Sequence, residues 1–282
     1  MIKSCVTISL VESLWGGPWI YWDDLEISIP KAKRAGFDAV ELFTASAKAV
    51  RCDLLAGLLE DNNIRLAAVG TGAGKALHGL SLTSPDERVR AQAIEFISKM
   101  IEFGARFEAP AIIGSMQGCV EKGIERPQSL ALLAEALNRL GLQAAELGVK
   151  LIYEPLNRYE TNLVNTLADG VELIKSLARE NVCLLADLFH MNIEEQSIPD
   201  AIRVAGKYIG HVHFADSNRR PVGMGHTDMT EIAKALSEIG FDGYASAEAF
   251  AWPDPDSAAT QTIKAFKQFL FPAFEGPKQQ PI

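Results

Sequence analysis

Three carboxylates and an imidazole fall at comparable points in the C-terminal half of the chain. They are Glu154 after Leu151-Ile152-Tyr153, Asp187 after Leu184-Leu185-Ala186, His213 in His211-Val212-His213, and Glu248 after Ser246-Ala247. Each closes a short apolar, β-prone run. Singly, each has a plain explanation: a helix cap, a turn anchor, a satisfied core histidine, a solvated loop charge. Brought to one surface, they would repel one another unless a cation or shared protons lay between them. An oxygen-rich set with one ring nitrogen suits a hard or borderline divalent ion such as Mn²⁺, Mg²⁺ or Co²⁺ better than a thiolate-seeking one. His211 and His213 are expected to face opposite sides of their strand. On that expectation His213, nearer the C-terminal end, is the ligand and His211 is structural. Arg219, in the following loop Ala215-Asp216-Ser217-Asn218-Arg219-Arg220, sits where a substrate oxygen or a neighbouring carboxylate would be gripped.

What must position these groups is legible in a recurring junction: an amphipathic run ends in glycine, and a short apolar run ending in a polar residue follows. It occurs at Ala35-Gly36-Phe37, Leu147-Gly148-Val149 and Ile239-Gly240-Phe241, with a looser copy at Phe103-Gly104. Glycine just past a helix accepts the left-handed conformation of a helix end, so each copy reads as helix, turn, strand. Strands apolar on both faces belong to a parallel sheet covered by helices. Eight strands are expected at Val6–Leu10, Ala39–Leu42, Leu66–Val69, Ala111–Ile113, Leu151–Tyr153, Val182–Leu185, His211–Phe214 and Tyr244–Ala247. The helices are expected at Asp24–Ala35, Cys52–Asn62, Pro85–Phe103, Ser129–Glu146, Thr166–Ala178, Pro199–Ala205, Met229–Ile239 and Ser257–Leu270. Ser84 reads as the N-cap of the third, with Pro85 at its first position.

Units of roughly 35 residues repeated eight times fit the ~250 residues of a (β/α)₈ TIM barrel. A single domain over residues 1–271 is expected, with a loose tail over 272–282. A doubly wound open sheet shares the alternation, but no GxGxxG opens the first helix. Gly70-Thr71-Gly72-Ala73-Gly74 lacks the Lys-Ser/Thr of a phosphate loop and is expected to precede no immediate helix; it reads as a glycine-lined active-site loop or a plain flexible one. In a barrel the C-terminal strand ends build the active site, so the four polar groups share one rim.

Composition agrees with a small soluble substrate. The 282 residues are 48% apolar and carry a formal charge of −9, which argues against disorder and against a surface for nucleic acid or anionic lipid. Cys5, Cys52, Cys119 and Cys183 are widely spaced, without a CxxC pair, and read as buried thiols in a reducing compartment, hence a cytoplasmic protein. The N-terminal segment shows no signal-peptide pattern, and no stretch reaches the ~18 apolar residues of a membrane span.

The segments Glu154-Pro155-Leu156-Asn157-Arg158-Tyr159-Glu160-Thr161, Ala186-Asp187-Leu188-Phe189-His190-Met191-Asn192 and His211-Val212-His213-Phe214-Ala215-Asp216-Ser217-Asn218-Arg219 resemble signatures of the ketose 3-epimerases. That group, typified by D-tagatose/D-psicose 3-epimerase, lies in the xylose-isomerase-like TIM-barrel superfamily. The resemblance implies one divalent metal, Mn²⁺ or Co²⁺ by preference, held by Glu154, Asp187, His213 and Glu248. It also implies substrate contacts from Glu160, His190 and Arg219. Glu154 and Glu248 would flank carbon 3 of the sugar, one removing its proton to give a cis-enediolate and the other returning one at the far face. A dimer or tetramer is implied as well. Gly70-Thr71-Gly72 and Gly79-Leu80-Ser81-Leu82-Thr83 are further similar to a branch with a 5-keto-L-gluconate epimerase. A keto-sugar acid would want a further cation, for which Lys75, Lys122 and Arg220 are the candidates. Trp15, Trp19 and Trp22 after the first strand and Gly114–Gly118 after the fourth are expected to shape the pocket. An aldose-ketose or hydroxypyruvate-type isomerase with the same metal site is the alternative. An abasic-site endonuclease would want more histidine and a DNA-binding face, and a non-catalytic sugar-binding protein has no reason to keep both glutamates.

Overall fold

The structure is a computed structural model and describes residues 1–275. Eight strands, β1 (Lys3–Ser9), β2 (Ala39–Phe43), β3 (Arg65–Gly70), β4 (Ala111–Ile113), β5 (Leu151–Tyr153), β6 (Val182–Asp187), β7 (Ile209–His213) and β8 (Tyr244–Ala247), pair in sequence order. All pairings are parallel and β8 closes on β1, so the expected (β/α)₈ TIM barrel is present and the open sheet is excluded. Strands β4, β5 and β8 match their expected bounds. Ile112 faces the interior, and its register neighbours Ile152 and Cys183 pack with it, Ala68 and Leu185 as an inner layer beneath the mouth.

Two pairings slip register, between Val40 and Glu41 on β2 and between Leu184 and Leu185 on β6. Such irregularities re-aim side chains near sites, and here each lies beside or just before an acidic residue that faces the mouth. Outside, amphipathic helices bury one stripe each: Glu87–Ala105, for example, turns Ala93, Ile97, Met100 and Ile101 inward. Gly36, just past the helix Leu25–Ala35, takes φ 101°, the left-handed turn the junction pattern called for.

The structure departs from expectation at several ends. Gly70-Thr71-Gly72 runs straight into a helix, Ala73–His78, because Gly72 is already helical. The helix Glu87–Ala105 is capped by Asp86, whose carboxylate accepts from the Arg88 N–H, and not by Ser84, whose hydroxyl accepts from the Asp86 N–H instead. A helix at Leu188–Glu194 precedes the expected one, which spans Ile198–Ala205. The expected loose segment from Pro272 begins within a helical turn, Phe271–Glu275, and its remainder, 276–282, lies outside the described residues. Cys5 and Cys183 are buried as expected, Cys52 and Cys119 half-buried, and all four thiols are free. Among the described residues, no helix is long and apolar enough to cross a membrane.

Candidate active site

The four expected ligands meet at the C-terminal mouth. His213 ends β7 and points Nδ1 at three carboxylates: Asp187 Oδ2 at 3.2 Å, Glu154 Oε1 at 3.3 Å and Glu248 Oε2 at 3.4 Å. All four donor atoms lie within 4.8 Å of one another. Donors held about 2.1 Å from a common ion stand about 3.0–3.4 Å apart along coordination edges, so the three distances from His213 Nδ1 fit a shared divalent ion. Glu154 Oε1 is buried without a hydrogen-bond donor, as a ligand oxygen awaiting a cation would be. Room for this carboxylate comes from Gly114, where any Cβ would collide with it.

Asp187 divides its two oxygens between fold and site. Oδ1 accepts from the N–H groups of Phe189 and His190 and caps the helix Leu188–Glu194, while Oδ2 faces His213. One side chain thus anchors the turn and turns an oxygen to the cluster.

Left to protein groups alone, this cluster has strongly displaced ionisation. Burial pushes the Glu154 carboxyl up to about 8, outweighing the nearby His213. Glu248 is raised by burial too, partly offset by His213 and Arg219. Asp187 lies well below the usual carboxylate range, because His190, Arg219 and His213 overcome its burial. Burial opposes charge on His213, yet Glu248, Glu41, Asp187 and Glu154 around it hold its pKa well above that of a free imidazole. Environments that push neighbouring carboxyls apart are a mark of acid/base sites.

The pair His211 and His213 corrects the expectation of opposite faces. Residues two apart on a strand share a face, and both rings point into the barrel, one layer below the other, with centroids 5.6 Å apart. Glu41, at the β2 irregularity, joins them: Oε2 lies 2.8 Å from His211 Nε2 and Oε1 3.2 Å from His213 Nε2. A carboxylate behind a ligating histidine fixes its orientation and raises its basicity. Sequence reasoning did not single out Glu41; its signal was one acid inside the otherwise apolar strand Ala39–Phe43.

The residues that the resemblance named for substrate also reach the mouth. His190 Nδ1 lies 2.7 Å from the Asn157 side-chain amide and 3.8 Å from Glu160, with Nε2 turned toward Asp187 at 3.7 Å. Burial drops its pKa to about 4, keeping the ring neutral. Arg219 reaches Asp187 at 3.4 Å, pairs with Glu248, and lies 4.7 Å over the Phe189 ring. Its backbone is left-handed, φ 57°, which is uncommon outside glycine. The neighbouring Asp216 stabilises this turn, accepting from the N–H groups of Ser217, Gly223 and Thr227 at 2.8–3.1 Å. Asp216 is a second residue that sequence reading passed over; the run of polar and glycine positions after it was the available signal.

A cavity of about 530 Å³ covers these groups, and its wall contains Glu41, Glu154, Glu160, His190, His213, Arg219 and Glu248. Gly70, Thr71, Gly72 and Gly114 line it too, so the glycine segment after β3 does belong to the site. Of the tryptophans after β1, Trp19 lines it, while Trp22 and Trp15 stack in sequence behind, at 5.4 and 5.0 Å between centroids.

Residues 29–269 match the family described as xylose isomerase-like TIM barrel. A D-psicose 3-epimerase of Ruminiclostridium cellulolyticum is 32% identical over 246 residues, covering 82% of each chain. One from Agrobacterium fabrum is 34% identical over 229 residues, 79% of this chain and 78% of that one. A crystal structure of D-psicose 3-epimerase with D-tagatose, from Clostridium cellulolyticum H10, superposes with a TM-score of 0.80 at 27% identity over 95% of this chain and 99% of its own. With a three-carboxylate, one-imidazole cluster at the barrel mouth, this chain belongs to the xylose isomerase-like TIM barrel family, among its ketose 3-epimerases.

Proposed function

We propose that this carbohydrate isomerase inverts the carbon next to the keto group of a ketose, using Glu154 and Glu248 as its two acid/base groups. The observation that carries the reading is their convergence. From β5 and β8 they approach the same His213 nitrogen, at 3.3 and 3.4 Å, while both line the cavity. Inversion needs one group per face of the reacting carbon, one to take the proton and one to return it. Raised carboxyl pKa values, produced mainly by burial, bring such groups toward neutral pH.

Glu154, Asp187, His213 and Glu248 would hold one divalent ion, Mn²⁺ by preference and Co²⁺ or Mg²⁺ otherwise. The chemistry such an ion supplies when bound is to offset negative charge on the sugar oxygens next to the reacting carbon. Glu41 orients His213 for that role, Arg219 holds Glu248, and His190 with Glu160 positions the hydroxyls near the reacting carbons. The free thiols favour a reducing, cytoplasmic setting, and the family resemblance favours a dimer or tetramer.

The test is incubation with Mn²⁺ in deuterated water with D-psicose, D-fructose, D-tagatose and L-ribulose, read by NMR. Deuterium at carbon 3 with the inverted ketose as product is expected. An aldose product with label at another carbon would replace this reading by the aldose-ketose one, and inactivity on all would remove the ketose assignment.

A further inference from the structure

We infer that the site selects an uncharged keto-sugar bearing a second uncharged ring at the end remote from its carbonyl, and rejects carboxylated or phosphorylated sugars; this rests on the function proposed above. Charge on the cavity wall is one support. Glu41, Glu154, Glu160 and Glu248 line it, the buried Asp187 contacts the lining residue Arg219, and among the described residues Arg219 is the one Lys or Arg of the lining. That guanidinium is already engaged by Asp187 and Glu248 and stacked on Phe189. The cations considered for a sugar acid do not help: Lys75, Lys122 and Arg220 are absent from the wall, and Arg220 lies 4.3 Å over the Trp252 ring instead. Even a bound divalent ion leaves the wall acidic, so an anionic substituent would enter against like charge, with no free cationic partner among the described lining residues.

The apolar part of the wall supplies the second support. Leu14, Pro18 and Trp19 from the loop after β1 and Phe43 at the end of β2 line the cavity, and Phe250, two residues beyond Glu248, adds a partly exposed ring. Trp19 and Phe43 stack at 4.2 Å, Trp22 backs Trp19 edge-on at 5.4 Å, and the Trp22 indole N–H donates to the Trp19 carbonyl at 2.8 Å. The rings are thus held in place, and a built aromatic face favours an apolar ring face over a solvated charge. At about 530 Å³ the cavity is in the size range that accommodates drug-sized ligands.

Three sugars identical but for oxygen 6 separate the possibilities: D-fructose, D-fructose 6-phosphate and isomaltulose, which carries a glucosyl ring there. With the Mn²⁺-loaded protein, kcat/KM for isomaltulose should exceed that for fructose at least tenfold, and the phosphate should fall at least a hundredfold below fructose. Trp19→Ala should lower the isomaltulose-to-fructose ratio about tenfold. A phenyl-substituted ketose tests whether the favoured ring must be a sugar or is any uncharged ring. Intrinsic tryptophan fluorescence reads binding of the same three compounds whether or not they turn over, with the same order of affinities expected. Fructose turned over as fast as isomaltulose, or a phosphate bound as tightly as fructose, overturns the inference while leaving the epimerase reading intact. Deuterium exchange into none of the sugars removes that reading, and the fluorescence order then still decides the inference.

Discussion

The two halves of the barrel mouth are built on opposite principles. From β5 to β8, strand ends carry Glu154, Asp187 and His213, buried, and Glu248, half-buried, mutually dependent for charge compensation. From β1 to β3, the same positions lead into Trp19, Phe43 and a glycine-lined turn, held by packing and one indole hydrogen bond. One half is fixed by electrostatics and the other by shape. On the function proposed here, the first half would carry the reaction and the second the choice of substrate.

The largest effect should come from breaking the charged half at its proposed acid/base pair. Glu248→Gln is expected to lower kcat at least a thousandfold, within the reach of general acid/base loss combined with a weakened ligand. Circular dichroism should show the fold unchanged. Near-normal epimerisation by that variant would end the two-glutamate scheme.

Glu41→Gln touches the same half from behind. It should weaken Mn²⁺ binding by about 10–100-fold, the usual cost of losing a carboxylate behind a ligating histidine, in a titration calorimetry experiment on folded protein. Unchanged affinity would make Glu41 a purely structural partner of His211.

The pH response distinguishes the halves further. Because Glu154 is raised from 4.5 to about 8, its contribution to stability is complete below about pH 4.5 and is lost as pH rises through about 8. His213, raised by its ring of carboxylates despite burial, acts in the same direction. A divalent ion displaces these protons. The rise in melting temperature on adding Mn²⁺ should therefore be greater at pH 8 than at pH 5.5. Equal increments would mean that these groups are not the ligands.

The smallest effect belongs to the apolar half. Trp22→Phe removes the indole donor to the Trp19 carbonyl and should cost about 1 kcal/mol in denaturant unfolding. A loss of catalysis comparable to that of the charged half would erase the contrast.

Much of this was visible in the amino-acid order because its signals are local. Gly36, Gly148 and Gly240 take positive φ where helices give way to strands, and short apolar runs between them define the barrel. The candidate ligands were legible because acids at the ends of apolar strands are costly unless used. Glu41 and Asp216 were not, since their partners lie far away along the chain or are backbone N–H groups that any sequence has. Helix caps such as Asp86 over Ser84 were mistaken for a related reason: both residues cap well, and the choice depends on the path of the chain before them. The pairing of His211 with His213 was a matter of applying strand alternation correctly, because a spacing of two keeps both on one face.

Asp187 has an evolutionary consequence. Its Oδ1 starts a helix, and its Oδ2 faces the would-be ion. Asparagine keeps an oxygen able to start that helix but brings no negative charge to the centre. A single-nucleotide change, Asp to Asn, would thus remove a charge from the proposed ion site while sparing the scaffold. A barrel arranged in this way has a short mutational route from enzyme to sugar-binding relative, and a correspondingly short route back.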